Sequence, residues 1–266
     1  MIPGINFTYC FHFVRHYLNA TRIDVLHSPF VFSIYNTCIK RQPVNYAFDD
    51  IELLRKHLKA DGKVLLQKDF GAGSSLFSGK KRSVRELVYL HAKQARLQQI
   101  FYYLIKRFKY THIIELGTSL GLTTAYLAKA AGESGKVFTI EGSDEIAKAA
   151  QANLISLSLP KAHVIVGTFE VALPQALSEL GKVDLAYIDG NHQYQPTLDY
   201  FHQLLPHVHN TSVLIFDDIY WSTGMAKAWK EIKKHPDVTV TLDLFFVGLV
   251  FFRKEQAKEH FRLRVF

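Results

Sequence analysis

The chain has 266 residues, of which 48% are hydrophobic and 21% are charged. This balance is typical of a globular protein with a sizeable core, and it excludes a disordered, collagen-like or coiled-coil main state. The two cysteines, Cys10 and Cys38, are too few for a disulfide framework. We therefore expect a reduced, cytoplasmic protein.

The net charge of +8 is unevenly distributed along the chain. Residues 1–110 contain 18 Lys and Arg against 7 Asp and Glu, a net charge of +11, whereas residues 111–266 have a net charge of −3. A basic front half is typical of a protein with an anionic partner, although a solvated surface explains it equally well. No segment has the length and hydropathy of a transmembrane helix, and the N-terminal residues lack a signal-peptide pattern, so we expect no membrane partner.

Residues 1–82 show little periodicity, and we interpret them as an N-terminal cap with a short strand at 64–66. The segment 69–74 (DFGAGS) resembles a glycine-rich cofactor loop, but no strand with a terminal acid follows it at the right distance. We interpret it as a loop, with a substrate lid as one option. Ser83 and Glu86 form a capping-box pattern, which predicts a helix running to about Lys106. We predict that the main domain spans residues 83–266.

From about residue 112 onward, short apolar strands alternate with helices. The predicted strands are 112–116, 137–141, 163–166, 183–188 and 212–216, and the predicted helices are 123–131, 144–156, 171–180 and 195–205. This alternation predicts a parallel sheet in a doubly wound α/β fold. Two further strands, 238–242 and 247–252, are too close for a crossover helix, so one of them should run antiparallel. The predicted sheet therefore has seven strands and is mostly parallel.

A glycine-bearing turn follows the first predicted strand, in the segment 115–121 (ELGTSLG). Glycines at such a turn let the backbone approach a ligand, and the helix that follows offers free N–H groups. Ser119 occupies the place where a dinucleotide fingerprint needs its middle glycine, so a pyrophosphate fits poorly. Glu141 ends the next strand, where a carboxylate typically binds a ribose diol. The pattern favours a ribose-bearing ligand without a pyrophosphate.

This turn and Glu141 resemble the cofactor motif of class I S-adenosylmethionine-dependent methyltransferases, in the O-methyltransferase branch that includes the catechol and sugar types. The resemblance covers about residues 110–252, and it implies a Rossmann-like fold with an antiparallel C-terminal hairpin. Two other stretches, HSPFVF at 27–32 and FRKEQ at 252–256, are similar to bacterial methyltransferases of this branch. The resemblance implies an enzyme that transfers a methyl group from S-adenosylmethionine to a hydroxyl oxygen of a small molecule.

The resemblance also implies which residues bind the cofactor. They are Glu115, Gly117, Thr118, Ser119, Gly121, Thr123, Glu141, Gly142, Thr168, Phe169 and Asp189. Of these, Glu115 and Gly117 are expected at the methionine end, and Ser119 and Thr123 near its carboxylate. Glu141 is expected at the ribose, and the segment 167–169 at the adenine.

Three aspartates follow the fourth and fifth predicted strands, namely Asp189, Asp217 and Asp218. Because parallel strands deliver their carboxyl ends to one edge of a sheet, we expect these side chains to converge there. Three like charges need a neutralising cation, and oxygen ligands suit Mg²⁺. The arrangement resembles the metal site of catechol-type and sugar O-methyltransferases, with Asp218 where the catechol type has Asn. Alternatively, Asp217 or Asp218 caps the next helix or binds substrate without a metal.

His192 lies three residues after Asp189, where the catechol type has a lysine base. Histidine side chains titrate near neutral pH, so His192 is predicted as a catalytic residue together with Asp189. The alternative is that His192 binds a metal-bound water or another loop residue. Three aromatic residues flank these loops, as an aromatic wall for the acceptor or as core or lid packing residues, namely Tyr194, Tyr220 and Trp221.

Two other functions remain as alternatives. The first alternative is an RNA methyltransferase, which the basic front half suggests. Against it, the sequence DGNH after the fourth strand is not the NPPY-like motif of base methylation, and no cysteine nucleophile follows this strand. A non-catalytic S-adenosylmethionine-binding protein is the second alternative, against which the retained acidic residues argue. We therefore expect a small-molecule acceptor, anionic if the basic half contributes to its binding, and no nucleic-acid partner. The sequence leaves open whether the protein is a homodimer.

Overall fold

A computed structural model of the chain describes residues 7–22, 25–40, 46–67, 80–92 and 94–264. Eight strands form one mixed, mostly parallel sheet with flanking helices, which confirms the predicted doubly wound, Rossmann-like fold. The chain divides into a continuous unit, Ile34–Gly181, and a split unit made of Met1–Ser33 with Lys182–Phe266. Among the described residues, none of the helices has the length and apolar character needed to cross a membrane.

The elements are numbered in chain order. The α-helices are α1 (Phe7–Asn19), α2 (Pro29–Ile34), α3 (Asp49–Ala60), α4 (Val84–His91), α5 (Ala95–Phe108), α6 (Leu122–Ala131), α7 (Asp144–Ser156), α8 (Phe169–Leu180), α9 (Tyr194–Leu204) and α10 (Thr223–Lys234). The strands are β1 (Val64–Gln67), β2 (Lys80–Ser83), β3 (His112–Leu116), β4 (Lys136–Glu141), β5 (Ala162–Val166), β6 (Val183–Ile188), β7 (Val208–Asp217), β8 (Val240–Asp243), β9 (Val247–Phe251) and β10 (Glu259–Arg262).

The continuous unit contributes the strands β3, β4 and β5, which lie side by side and parallel. The β3 sequence HIIEL is buried from Ile113 onward, as expected for a strand covered by helices on both faces. A separate antiparallel hairpin, β1–β2, pairs Val64 with Ser83. Parallel pairing brings the carboxyl ends of β3, β4 and β5 to one edge of the sheet.

The region before the sheet differs from the prediction at one point. Ser83 does cap α4, with its side chain accepting from the Glu86 N–H and the Glu86 side chain accepting from Ser83. The prediction of one helix reaching Lys106 is wrong, because α4 ends at His91 and α5 begins at Ala95. Ala92 and Gln94 both have extended backbones, although neither Gly nor Pro marks the break. The apolar face of α5 is buried, so tertiary packing stabilises this helix.

The predicted cap at residues 1–82 stays a prediction. The glycine-rich segment 69–74 lies outside the described residues.

The split unit contributes the strands in the order β10-β8-β9-β7-β6. The strand β9 runs antiparallel to both β7 and β8, which confirms the predicted hairpin. The strand β10, which pairs parallel to β8, is an eighth strand that the sequence does not predict. On β9, Gly248 faces the six-membered ring of Trp229 on α10, a side chain that is 2% exposed.

A side chain at position 248 should therefore be costly. An added Cβ would lie 2.6 Å from Trp229 Cη2, so Gly248→Ala should destabilise the protein by about 1–3 kcal/mol in urea unfolding. Gly224→Ala is the matched control, because its Cβ would meet neighbours no closer than 3.4 Å. Trp229→Phe should relieve the clash, so the double variant should lose less stability than the two single losses added together. Additive losses would contradict this packing account.

Candidate active site

The turn between β3 and α6 has a left-handed backbone at Gly117 (φ 100°), Ser119 (φ 48°) and Gly121 (φ 79°). This conformation strains residues that carry a Cβ, which explains both glycines of the motif. The backbone N–H groups of Gly117 and Thr118 donate to Ile140 O on β4, at 3.0 and 3.2 Å. The turn is therefore held by the neighbouring strand, and α6 begins immediately after it.

Glu141, at the end of β4, also holds this turn through hydrogen bonds of its side chain. One carboxylate oxygen accepts the Ser119 N–H at 2.9 Å, and the other accepts the Ser143 N–H at 3.0 Å. Burial raises the pKa of Glu141, while these N–H donors and that of Gly142 act in the opposite direction. The predicted ribose carboxylate therefore lies beside the glycine turn, as its sequence spacing implies.

Glu115 lies on β3 with its side chain fully buried. Its carboxylate accepts hydrogen bonds from the hydroxyl groups of Thr124 on α6, at 2.5 Å, and Thr139 on β4, at 2.7 Å. Thr139 also shares a hydrogen bond of 2.6 Å with Thr118 in the turn. Glu115 on β3 is thus hydrogen-bonded to both α6 and β4. Its predicted contact with the methionine end of the cofactor stays a prediction.

The predicted adenine segment follows β5. Gly167 N–H donates to the main-chain oxygen of Glu141 at 3.0 Å, which joins this segment to the end of β4. Thr168 precedes α8 with an extended backbone, and Phe169 is the half-buried first residue of the helix. Their predicted contact with the adenine is not tested by this arrangement.

In the split unit, Asp189, His192 and Asp217 form a group whose potential ligand atoms all lie within 4.8 Å of one another. His192 Nε2 is 3.5 Å from Asp189 Oδ1, and the Tyr187 hydroxyl donates to Asp189 Oδ2 at 3.1 Å. Asp217 is the last residue of β7 and is only 1% exposed, whereas Asp189 and His192 are half-buried. We call these three residues the acidic group.

The loops that carry the acidic group have an unusual backbone. Asn191 (φ 63°), His192 (φ 34°) and Asp218 (φ 50°) are all in the left-handed region, which side chains rarely adopt. The Asp218 N–H donates to Phe246 O at 2.7 Å. Asp218, which the sequence predicts as a third metal ligand, is not a member of the acidic group, and His192 is.

The donor set of the acidic group fits a divalent cation. Two carboxylates suit Mg²⁺ or Mn²⁺, and an imidazole adds affinity for transition metals. The alternative that Asp217 or Asp218 caps the next helix is wrong, because the Ser222 side chain caps α10 by accepting the Met225 N–H at 3.1 Å.

Aromatic residues pack beside the loop that follows Asp217. The ring of Tyr220 stacks between His12 of α1 and Phe245, at centroid distances of 5.0 and 5.5 Å. The Tyr220 hydroxyl donates to the buried carboxylate of Asp243, to which His16 of α1 also binds. Tyr220 is therefore a packing residue in this structure, while Trp221 is 43% exposed.

Sequence reasoning missed several side chains that support the predicted ones. Tyr187 lies on β6 two residues before Asp189, a spacing that could have indicated a shared face. Thr139 on β4 contacts Thr118 in the glycine turn, and Gln98 on α5 contacts Thr123 at the start of α6. The partners in each pair are too far apart in sequence to leave a local signal.

The sheet, its antiparallel strand β9 and the acid-fastened glycine turn define a class I methyltransferase fold. Residues 114–219 match the family model described as a methyltransferase domain. This match agrees with the family that the sequence resembles. A comparison with curated proteins gives no match.

Several solved structures are similar to this one. An O-methyltransferase from Bacillus cereus in complex with SAH has 16% identity and a TM-score of 0.55, over 86% of this chain and 100% of that chain. The SAH-bound methyltransferase PaMTH1 from Podospora anserina has 12% identity and a TM-score of 0.59, over 86% and 97%. The O-methyltransferase TomG from Streptomyces achromogenes, in complex with SAM, has 19% identity and a TM-score of 0.52, over 61% and 82%. At these identities the likeness establishes the fold.

The Asp243 network should make stability depend on pH. Burial opposes ionisation of Asp243, but hydrogen bonds from His16 and Tyr220 outweigh it, so its pKa is held below its ordinary value of 3.8. A carboxyl group whose pKa is lowered in the folded protein stabilises the fold at pH values above its ordinary pKa. This contribution is lost as the pH falls from the ordinary pKa to the lowered one. We expect Asp243→Asn to cost about 1–3 kcal/mol at neutral pH and to weaken the loss of stability on acidification.

Urea unfolding at neutral and acidic pH measures both effects. The exposed Asp237→Asn is the matched control and should leave the wild-type pH dependence unchanged. Equal acid sensitivity of the wild type and Asp243→Asn would contradict the assignment.

Proposed function

We propose that this protein transfers a methyl group from S-adenosylmethionine to a hydroxyl oxygen of a small-molecule acceptor, with a divalent cation, in the first instance Mg²⁺, bound by Asp189 and Asp217 of the acidic group. The observation that carries the proposal is the Asp189–His192–Asp217 group on a methyltransferase fold. A cation bound there would make an acceptor hydroxyl easier to ionise, which favours methyl transfer to oxygen. The glycine turn with Glu141 supports the choice of methyl donor.

The proposed donor site lies in the continuous unit. The glycine turn at 117–121 offers N–H groups at the start of α6, where the helix dipole favours an anionic group such as the methionine carboxylate. Glu141 accepts a ribose hydroxyl, because its two oxygens offer about four lone-pair sites and its three N–H donors do not fill all of them. Structures of similar fold contain SAM or SAH, which supports the same ligand here.

The chemistry is an in-line displacement, in which the acceptor oxygen bonds to the methyl carbon while the carbon–sulfur bond breaks. The acceptor must lose its hydroxyl proton, and we assign His192 Nε2 as the group that takes it. Asp189 Oδ1, 3.5 Å away, stabilises the resulting imidazolium. A divalent cation at Asp189 and Asp217 would supply Lewis acidity, which makes a nearby hydroxyl easier to ionise. Asp218 is a third candidate ligand.

The acceptor class is inferred from charge. The net charge of +11 in residues 1–110 favours an anionic small molecule over a neutral one. A turnover screen with labelled methyl donor, over catechols, sugars and phosphorylated metabolites with and without Mg²⁺, tests this choice. Methylation of RNA and of none of these compounds would contradict it.

Donor binding should depend on Glu141. We expect Glu141→Gln to weaken binding of S-adenosylhomocysteine by about 10-fold or more, because it removes charge-assisted hydrogen bonds to the ribose. Isothermal titration calorimetry measures the effect. The exposed Glu133→Gln is the matched control and should bind like the wild type. A wild-type protein that does not bind S-adenosylhomocysteine would contradict the assignment of the methyl donor.

Metal binding should depend on Asp217. We expect Asp217→Asn to weaken Mn²⁺ binding by at least about 10-fold, because it removes a buried charged ligand. Titration of Mn²⁺ followed by electron paramagnetic resonance measures this without any acceptor. Asp199→Asn, an exposed change on α9, is the matched control. Asp218→Asn should weaken binding less than Asp217→Asn, since its side chain is outside the acidic group.

Unchanged Mn²⁺ affinity in Asp217→Asn, or full turnover in EDTA, would remove the metal from the proposal. The methyltransferase assignment would then rest on donor binding alone.

A further inference from the structure

A buried amide lies behind the cofactor turn of the continuous unit. Gln98, on α5, has no solvent exposure. Its side-chain Nε2 donates to Thr123 Oγ1 at 2.8 Å, and Thr123 is the second residue of α6. A buried amide is stable only when its polar atoms are satisfied, so the partners of Gln98 determine its orientation.

The other end of the amide faces an arginine. Arg55 on α3 donates from Nη2 to Gln98 Oε1 and is 7% exposed. A guanidinium can only donate hydrogen bonds, so the oxygen of the amide must face Arg55 and the NH₂ group must face Thr123. Arg55 itself is held by Glu52, whose carboxylate accepts from Arg55 Nε at 3.1 Å and from the Tyr126 hydroxyl at 2.8 Å. The orientation of the amide is therefore set by charge.

This orientation fixes the polarity of the Thr123 hydroxyl. Its oxygen accepts from Gln98, so its own proton is not directed at Gln98 and can be donated to a second acceptor. Thr123 lies in the first turn of α6, where the helix dipole already favours negative charge. A hydroxyl that donates at this place complements a carboxylate.

We propose that Gln98, oriented by Arg55, is a positioning residue that keeps the Thr123 hydroxyl as a hydrogen-bond donor to the carboxylate of the bound methyl donor. This inference rests on the proposed function, since it deepens the account of the same site. Gln98 contacts no ligand itself and acts through Thr123. The residue therefore contributes to selectivity for ligands that carry the amino-acid carboxylate.

The substitution Gln98→Glu reverses the polarity with the least change of shape. A carboxylate at position 98 accepts from both neighbours, so the Thr123 proton turns toward it and is lost to the ligand. We expect Gln98→Glu to weaken binding of S-adenosylhomocysteine about 10-fold or more. Binding of 5′-methylthioadenosine, which lacks the carboxylate, should stay at the wild-type level. Calorimetry with the two ligands measures this difference.

The matched variant Gln98→Met removes the amide but adds no acceptor. The Thr123 hydroxyl then remains able to donate, so affinity for S-adenosylhomocysteine should fall less than in Gln98→Glu. Equal losses in the two variants would overturn the proposal. Thermal unfolding of each variant records its effect on the fold.

A double-mutant cycle shows whether the effect passes through Thr123. Thr123→Val alone should weaken S-adenosylhomocysteine binding, Thr123→Ser should largely restore it, and Gln98→Glu should add no further loss in the Thr123→Val background. A full additional loss there would indicate direct charge repulsion and overturn the proposal. Equal weakening of both ligands by Gln98→Glu would indicate a merely structural role and would also overturn it.

The failure of the proposed function has a different signature. A wild-type protein that binds neither ligand would refute the donor assignment itself. A wild type that binds both, with a Gln98→Glu variant that matches it for both, would refute only the role of Gln98.

Discussion

The backbone N–H of Ser119 donates to the carboxylate of Glu141, and this hydrogen bond joins the ends of β3 and β4. Ser119 has a left-handed backbone, which is unfavourable for a residue with a Cβ unless the surroundings hold it. The carboxylate supplies that restraint, and the N–H groups that donate to it offset part of the cost of its burial. The shape of the glycine turn, the start of α6 and the position of the proposed ribose ligand all depend on this pairing.

In the split unit, two buried carboxylates likewise need partners for their negative charge. Asp243 is buried but accepts from His16, Tyr220 and the Phe245 N–H, so its charge is satisfied within the protein. Asp217 lies at the end of β7, close to Asp189 and His192, where a cation would balance the two negative charges. One carboxylate thus serves the fold by attaching α1, and the other belongs to the proposed metal site. The difference arises from their neighbours, since both are aspartates at strand ends.

Local patterns predicted a large part of this structure. The glycines at 117 and 121, the acid at 141 and the Ser83–Glu86 cap are each defined by residues that are close in sequence, so each leaves a readable signal. Strands of the main sheet were predicted from apolar runs for the same reason. The strand β10 was missed because three of the four residues in its sequence EHFR are polar, and it becomes a strand only through pairing with β8. The break between α4 and α5 has no Gly or Pro to mark it.

The sequence by itself determined the fold class, the glycine turn and which carboxylates follow which strands, because all of these depend on short-range periodicity and on residue types at strand ends. Only the tertiary structure decided that His192 joins Asp189 and Asp217, that Tyr220 packs on α1, and that Gln98 reaches Thr123. The physical reason is that these contacts satisfy buried polar groups, and the partner of a buried polar group is chosen by the packing of distant elements. No local pattern records a hydrogen bond between residues that are 25 or 43 positions apart.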